Sequence, residues 1–369
     1  MAEEVASAII LDSGSGYCKA GLTADDVPKA VFPAIVGRMK IDMGNGDKEK
    51  VVGREALEKK GLLNITKPTV RGFVRDWDAL ELVWQHCFQN ELKVESADHP
   101  LLFGVYPDET KSFKERMALL FFEQFGVPGL YCAVHGLLAL YGSGKTTGLV
   151  IDSGEDVTNI VPIQDGYMVT TAHGMIELGG SDINEYLQTL LKNKKIILDI
   201  EDARKVKEAR VYCANEFGKE HDSYKAGMVK HSVYELPDRT IIELGEEQIQ
   251  AAEILFRPAI LGKFDPGVHE MISECLQKVD IELKRELFGN IILCGGTSLI
   301  QNYSNRLNRE LVTISPNNIK VKIVAGSDRQ FLAWNGGSLI SSLATFQSMW
   351  ITHAEYEENG PSIIHRKCL

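Results

Sequence analysis

The chain reads Ile9-Ile10-Leu11-Asp12-Ser13-Gly14-Ser15-Gly16 near its start and Leu149-Val150-Ile151-Asp152-Ser153-Gly154-Glu155-Asp156 near its middle. In both copies an apolar strand runs into Asp-Ser-Gly, a pattern typical of a buried strand that ends in a tight turn. Such a turn directs backbone N–H groups outward, where they cradle phosphate oxygens, and its acid can bind the water shell of a metal ion. The repeat therefore predicts two phosphate-binding turns that clamp a nucleotide.

Two further features extend this predicted site. Lys19 stands three residues after Gly16, where its ammonium group can reach a β- or γ-phosphate. A third apolar segment, residues 290–294, ends in Gly295-Gly296-Thr297-Ser298, and paired glycines allow the close backbone approach that an adenine or a phosphate needs. Because all three turns directly follow apolar strands, we expect them to form one nucleotide site.

Length, charge and cysteine pattern limit the fold and the partners. The 369 residues exceed what one core usually holds, so we expect two lobes. The net charge of −11 and the pI of about 5.4 argue against direct nucleic-acid binding and against a basic membrane-binding patch. No leader pattern and no apolar run of about 18 to 20 residues is found, which predicts a cytoplasmic location, with the nucleus as the alternative. The seven cysteines are scattered, so we expect reduced core thiols.

The spacing of apolar residues predicts strands and helices in alternation. Strands are expected at 7–12, 19–22, 29–36 and 290–294, with a hairpin formed by 233–236 and 240–244. Helices are expected at 79–92, 110–125, 128–141, 182–191, 201–214, 268–279 and 304–310. Since strand, turn and helix recur in both halves, the pattern is typical of the α/β class.

Several of these segments strongly resemble actin, namely residues 13–22, 30–38, 140–148, 342–350 and 360–369. The similarity covers essentially the whole chain and is weakest from about 191 to 231. It implies a two-lobed, α/β, actin-like ATPase fold with a nucleotide cleft and two smaller appended subdomains. The implied outer lobe has a base of 1–32, 68–142 and 332–369 and a small subdomain of 33–67 with the assembly loop. The implied inner lobe has a base of 143–178 and 264–331 and a small subdomain of 179–263.

The resemblance also implies the residues that bind ATP or ADP together with Mg²⁺ or Ca²⁺. The metal ion would be held through water by Asp12 and Asp152. The implied nucleotide-binding positions are Asp12, Ser15, Gly16, Lys19, Gly154, Glu155, Asp156, Gly180, Arg204, Lys207, Glu208, Gly295, Gly296, Thr297 and Gln330. The implied catalytic positions are His135, Asp152 and Asn159.

Some of these positions depart from the family pattern. His135 stands where the family has a glutamine that orients the attacking water, and Asn159 stands where it has a histidine beside that water. Asp156 replaces a glycine near the γ-phosphate and adds a negative charge, and Ser181 replaces an arginine. Because hydrolysis depends on positioned water and fixed charge, we expect it to be weakened more than binding. His135 could substitute in part as a hydrogen-bond acceptor, or could simply be a packed helix histidine.

The assembly surfaces implied by the resemblance are altered to different degrees. The loop from Met39 to Lys50 is shorter than in the family and offers little apolar material to a neighbouring subunit. A groove that the family uses for amphipathic partner helices keeps its apolar character. Its residues are Tyr141, Gly144, Thr146, Gly166, Leu339, Ile340, Leu343, Thr345 and Met349. We expect proteins of the actin-binding type at this groove, or actin or a second copy of this chain, and neither nucleic acid nor a membrane.

These features favour an ATP-binding, actin-like cytoskeletal or assembly subunit with weakened hydrolysis that works in a filament or a multiprotein complex. Two alternatives stay open. A conventional filament-forming actin is disfavoured by the changed loop and the changed water positions. A small-molecule kinase of the same superfamily would need a catalytic acid and a substrate pocket, and the full-length register leaves no insertion to supply them.

Overall fold

The computed structural model describes residues 7–23, 25–40, 50–316 and 319–368. The chain divides into two compact units, Met1–Thr146 with Phe331–Leu369 as the first and Thr147–Gln330 as the second. The finer division into four subdomains stays a prediction. Within the described ranges, no helix combines the length and the apolar character that crossing a membrane requires.

Strands and helices alternate along both units, as the α/β pattern predicts. The strands are β1 Ile9–Ser13, β2 Tyr17–Leu22, β3 Ala30–Pro33, β4 Val36–Met39, β5 Lys50–Val52, β6 Leu63–Thr66, β7 Thr69–Val70, β8 Phe73–Val74, β9 Leu101–Val105, β10 Gly129–Val134, β11 Gly148–Ser153, β12 Thr158–Gln164, β13 Tyr167–Met168, β14 Gly174–Ile176, β15 Ser232–Glu235, β16 Ile241–Leu244, β17 Ile291–Cys294, β18 Ile323–Val324 and β19 Ile351–Thr352. The helices are α1 Arg54–Glu58, α2 Trp77–His86, α3 Lys111–Leu119, α4 His135–Gly142, α5 Gly180–Asn193, α6 Ile200–Arg210, α7 Phe217–Lys225, α8 Glu247–Glu253, α9 Val268–Gln277, α10 Ile281–Gly289, α11 Tyr303–Ile314, α12 Leu332–Ser341, α13 His353–Asn359 and α14 Ile364–Lys367.

The first unit is built on a six-stranded sheet in the order β19-β10-β9-β1-β2-β3. The central strands β10, β9 and β1 run parallel, whereas β1 and β2 form an antiparallel hairpin. Helices α4 and α12 pack so closely that a Cβ atom on Gly336 would overlap the backbone of Leu138. Trp334 of α12 donates a hydrogen bond from Nε1 to the carbonyl of Ile10, which fixes this helix against β1. The unit therefore presents the end of β1 from a rigid, buried sheet.

The second unit repeats this arrangement. Its main sheet has the order β13-β12-β11-β17-β18, with β14 also paired to β12. Strands β11 and β12 form an antiparallel hairpin, as β1 and β2 do, and β11 pairs in parallel with β17. Its strands are fully buried at Leu149, Ile151 and Ile291, where the helices pack against them. The two similar sequence segments therefore form similar hairpins, and each hairpin belongs to the main sheet of its unit.

One sequence prediction is wrong. Residues 128–141 were expected to form one helix, but Gly129–Val134 is strand β10 and only His135–Gly142 is helical. The segment is mostly apolar and mostly buried, so the spacing of its apolar residues does not distinguish a buried strand from a buried helix. The strand expected at 29–36 is interrupted at residues 34–35, which separate β3 from β4.

The other expected elements are confirmed with shifted ends, and the hairpin of β15 and β16 is confirmed. Helices α2 and α3 both continue into a π-helical turn, at Cys87–Leu92 and Leu120–Gln124. The helices that the sequence does not predict are α1, α7, α8, α10, α12, α13 and α14. Most of the expected assembly loop, residues 41–49, lies outside the described residues.

Candidate functional site

The first Asp-Ser-Gly turn joins β1 to β2 in the first unit. The N–H of Gly14 donates to the carbonyl of Tyr17 at 3.1 Å and closes the turn. The hairpin register sets Asp12 directly opposite Lys19, and their side chains form an ion pair of 2.8 Å. The predicted phosphate-binding lysine and the predicted metal-binding acid are therefore brought together by two adjacent strands. The predicted residues Ser15 and Gly16 lie within this turn.

His135 reaches the same acid from the other side. It is the first residue of α4, directly after β10, and only 4% of it is exposed. Its Nε2 lies 3.1 Å from Oδ1 of Asp12, and its ring packs against Tyr106 with centroids 5.0 Å apart. Gly104 on the neighbouring strand β9 gives the imidazole its space, since a Cβ there would lie 2.4 Å from Nε2. His135 is thus tightly packed and bound to Asp12.

The electrostatics of Asp12 follow from these two neighbours. Burial alone would raise the pKa of its carboxyl, but the Lys19 ammonium and the His135 ring outweigh burial and hold that pKa well below its usual range. Asp12 is therefore ionised under ordinary conditions. A permanently ionised, buried carboxylate suits the water shell of a divalent cation.

The second Asp-Ser-Gly turn joins β11 to β12 in the second unit and has the same closure. The N–H of Gly154 donates to the carbonyl of Val157 at 2.9 Å. Asp152 and Asn159 are directly opposite in the hairpin register, in the places that Asp12 and Lys19 occupy in the first unit. The sequence repeat therefore extends to backbone bonding, but the cation of the first turn is replaced by an amide in the second.

Polar groups of the second unit converge around Gly180, the first residue of α5. A Cβ atom there would lie 2.7 Å from Oγ1 of Thr297, 3.0 Å from Nζ of Lys207 and 3.0 Å from Oε2 of Glu155. Glu155 also accepts a hydrogen bond of 3.3 Å from the guanidinium of Arg204. Burial lowers the pKa of Lys207, while nearby carboxylates such as Glu155 act in the opposite direction. The result is a compact cradle of hydroxyl, ammonium, guanidinium and carboxylate groups.

The third turn follows β17 and is fixed to the second one. Gly295 has φ 82°, a left-handed conformation that favours glycine. The hydroxyl of Thr297 donates to the carbonyl of Gly154 at 2.7 Å. The guanidinium of Arg329 stabilises the turn by donating to both the hydroxyl and the carbonyl of Ser298, at 3.0 and 2.7 Å. The second and third turns therefore form one structural unit.

Each unit, taken by itself, carries groups of the kind that bind phosphates, sugar hydroxyls or a hydrated cation. The Gly180 cradle offers hydrogen-bond donors and a carboxylate to sugar hydroxyls and phosphates, and the absence of a side chain at Gly180 lets these groups come close together. Asp12 in the first unit and Asp152 in the second each carry a carboxylate at the end of a hairpin strand, and a carboxylate is the group that binds the water shell of a metal ion. In the described ranges, no group of three or more His, Cys, Asp and Glu side chains is placed to hold a metal ion directly.

The predicted residues fall into three groups. In the first unit, Lys19 and His135 both contact Asp12. The second unit gathers its predicted residues around the Gly180 cradle and the two turns beside it: Gly154, Glu155, Arg204, Lys207, Gly295, Gly296 and Thr297. The third group is Glu208 and Gln330. Glu208 is exposed on α6, and Gln330 is the last residue of the second unit. The assignment of these residues to nucleotide binding stays a prediction.

Sequence reasoning missed three features of this region. Gly104 was not considered, because a lone glycine in a strand carries no signal about the side chain that packs on it. Arg329, which supports the third turn, is not among the positions that the family resemblance implies, whereas its neighbour Gln330 is. Asp156 and Ser181 were noted as separate departures, yet their side chains form a hydrogen bond of 2.9 Å.

A comparison with protein-family models gives a match over two segments, residues 3–203 and 201–369. The matching family is described as actin. Together the segments cover nearly the whole chain, including every turn and helix described above. The match confirms the fold class and the family resemblance that the sequence indicates.

Proposed function

Because the chain belongs to the actin family, we propose that it is an ATP-binding assembly subunit with weakened hydrolysis, working in a filament or a multiprotein complex. Members of the family generally bind ATP or ADP with a divalent cation. The proposal for this chain combines that family property with the contacts of its own residues.

Nucleotide binding is supported by the chemistry of both units. In the first unit Lys19 and Asp12 supply a cation and an ionised acid beside a closed turn. In the second unit Lys207 and Arg204 supply donors beside Gly180 and Glu155. We assign Asp12 and Asp152 to the hydrated Mg²⁺ or Ca²⁺ ion and the Gly180 cradle to the nucleoside end, as the family resemblance implies.

Weakened hydrolysis rests on one observation, the hydrogen bond between His135 and Asp12. Bound ATP supplies the γ-phosphoryl group that a water molecule attacks, and the rate depends on how well that water is positioned. His135 occupies the position of the family's water-orienting glutamine, but its Nε2 is engaged by Asp12 at 3.1 Å. Tyr106 and Gly104 confine its ring, so reorientation would require displacing packed neighbours. His135 therefore acts as a positioning residue for Asp12 in this proposal.

The proposed role in assembly rests on the groove residues of the first unit. Leu339, Leu343 and Met349 are 49%, 48% and 40% exposed, although all three are apolar. Apolar side chains at this exposure suit an amphipathic helix of a partner, which would cover them on binding. Actin-binding-type proteins, actin or a second copy of this chain are the proposed partners, and the cytoskeleton of the cytoplasm is the proposed location.

The proposal is tested by titrating the purified chain with ATP in the presence of Mg²⁺ in a calorimeter. We expect saturable binding to one site per chain, and we expect little phosphate to appear in the same sample over the titration. Absence of binding would reject the nucleotide-binding proposal. Binding with rapid phosphate release would reject only the weakened hydrolysis.

A further inference from the structure

Two positions at which the chain departs from its family contact each other. Asp156 lies in the second turn and Ser181 lies in the first turn of α5, and the Ser181 hydroxyl donates to Oδ1 of Asp156 at 2.9 Å. Asp156 is 3% exposed, so its carboxylate is held inside the second unit. A buried carboxylate is stable only when hydrogen-bond donors face it. The serine is therefore part of what makes an aspartate tolerable at this position.

The backbone fixes this contact on both sides. The N–H of Gly180 donates to the carbonyl of Gly154 at 3.1 Å, and the N–H of Ser181 donates to the carbonyl of Glu155 at 2.7 Å. Ser181 thus binds the second turn through its main chain and its side chain together.

The position of the carboxylate matters for any anion that binds the turn. Asp156 lies next to the N-terminal end of α5, a helix of 14 residues, whose positive dipole end stabilises a negative charge. Without the Ser181 hydroxyl the carboxylate would lose a donor and could rotate out of its buried place. It would then repel a bound phosphate, and more strongly when the phosphate carries more charge.

We propose that Ser181 is a positioning residue that holds the Asp156 carboxylate against α5, so that a phosphate-binding turn with an acidic residue still accepts a nucleotide. This inference rests on the proposed nucleotide binding. It concerns two residues at which this chain departs from the family pattern, and their side chains contact each other.

The test is a double-mutant cycle of Ser181→Ala and Asp156→Asn, read out as the Kd for ATP and for ADP by displacement of a fluorescent nucleotide. Ser181→Ala should weaken ATP binding about tenfold, because the released Asp156 carboxylate would repel the phosphates. ADP binding should weaken less, because ADP carries less negative charge. In the Asp156→Asn background the same serine change should alter the ATP affinity less than twofold. Ser223→Ala, which removes an exposed serine hydroxyl from α7 of the same unit, should leave both affinities unchanged.

Two results would overturn the inference while leaving nucleotide binding intact. The first is a Ser181→Ala variant with wild-type affinities. The second is an equal loss for ATP and ADP that persists in the Asp156→Asn background, which would indicate a structural role only. A wild-type chain that binds neither nucleotide would instead contradict the proposed function, and the role of Ser181 would fall with it.

Discussion

Gly104 and His135 are in direct contact across β9 and the start of α4. A Cβ atom built on Gly104 would lie 2.4 Å from Nε2 of His135, the same atom that bonds Asp12. Real Cβ atoms essentially never approach that closely, so the imidazole can occupy its place only beside a glycine. The two positions are therefore physically coupled, and both determine where Asp12 is held.

Gly104→Ala should lower the free energy of unfolding by about 1–3 kcal/mol, because the added methyl group overpacks the site. In a His135→Ala background the same change should have little effect, since the clashing ring is gone. Gly61→Ala is the matched control, because a Cβ at Gly61 meets no atom within 4 Å. Urea denaturation of the wild type, the two single variants Gly104→Ala and His135→Ala and the double variant measures the coupling energy between the two positions. An equal loss in both backgrounds would contradict the contact.

Lys19→Ala and Asp12→Ala should reduce the stabilisation of the protein by ATP and Mg²⁺. A ligand that binds the folded state at 100 times its Kd stabilises it by about 2.7 kcal/mol, and this gain shrinks as the affinity falls. Thermal unfolding with and without nucleotide measures the difference. Lys29→Ala is the control, because Lys29 is an exposed lysine of the same unit that pairs with Asp25 and not with Asp12. If both variants fold and gain as much from ATP as the wild type, the site assignment is wrong.

Glu109 should make the stability of the protein depend on pH. Burial raises the pKa of its carboxyl from 4.5 to about 7, against the opposing influence of His135 and Lys114. The folded state then binds more protons than the unfolded state between about pH 4.5 and 7, so this group lowers the stability as the pH rises through that window. Glu109→Gln should remove this contribution.

Urea denaturation at intervals from pH 5 to pH 8 measures that dependence. Glu55→Gln, at an exposed ion-paired glutamate of α1, serves as the control and should keep the wild-type slope. A Glu109→Gln protein whose stability still falls as steeply with rising pH would show that Glu109 is not the group responsible.

The chain alone should remain largely monomeric at low micromolar concentration in Mg²⁺, ATP and physiological salt. Longitudinal contacts need buried apolar surface, and the segment from Met39 to Lys50 offers little of it in sequence. Sedimentation measures the assembled fraction. Abundant filaments under these conditions would contradict this prediction and would favour the alternative, a conventional filament-forming actin.

Leu343→Asp should release partners that co-purify with the native chain, because a charge in an apolar docking surface must be desolvated on binding. Quantitative mass spectrometry of the purified complexes measures the loss. Leu119→Asp is the control, since Leu119 is a partly exposed leucine at the end of α3 in the same unit and is not one of the groove residues. If the Leu343→Asp protein recovered the same amount of its partners as the wild type, the proposal that the groove binds partners would be wrong.

The sequence could predict those parts of the site that depend on local pattern. Asp12 and Asp152 were found because each ends an apolar strand, and the Asp12–Lys19 pair follows once the hairpin register is known. Contacts between distant segments could not be predicted. Asp156 and Ser181 are 25 residues apart, and only the packing of α5 on the second turn brings them together. Similarly, the strand Gly129–Val134 shows no alternation of apolar and polar residues, because nearly all of its residues are buried.

The central claim is that this chain binds ATP but hydrolyses it slowly, and single-turnover phosphate release tests it most directly. The wild type should release phosphate about ten- to a hundredfold more slowly than a conventional actin assayed beside it, because the groups that position water are changed. His135→Gln, Asn159→His and Asp156→Gly combined should raise the rate, whereas His353→Gln, at an exposed histidine, should not. Wild-type phosphate release that matches the conventional actin would contradict the account.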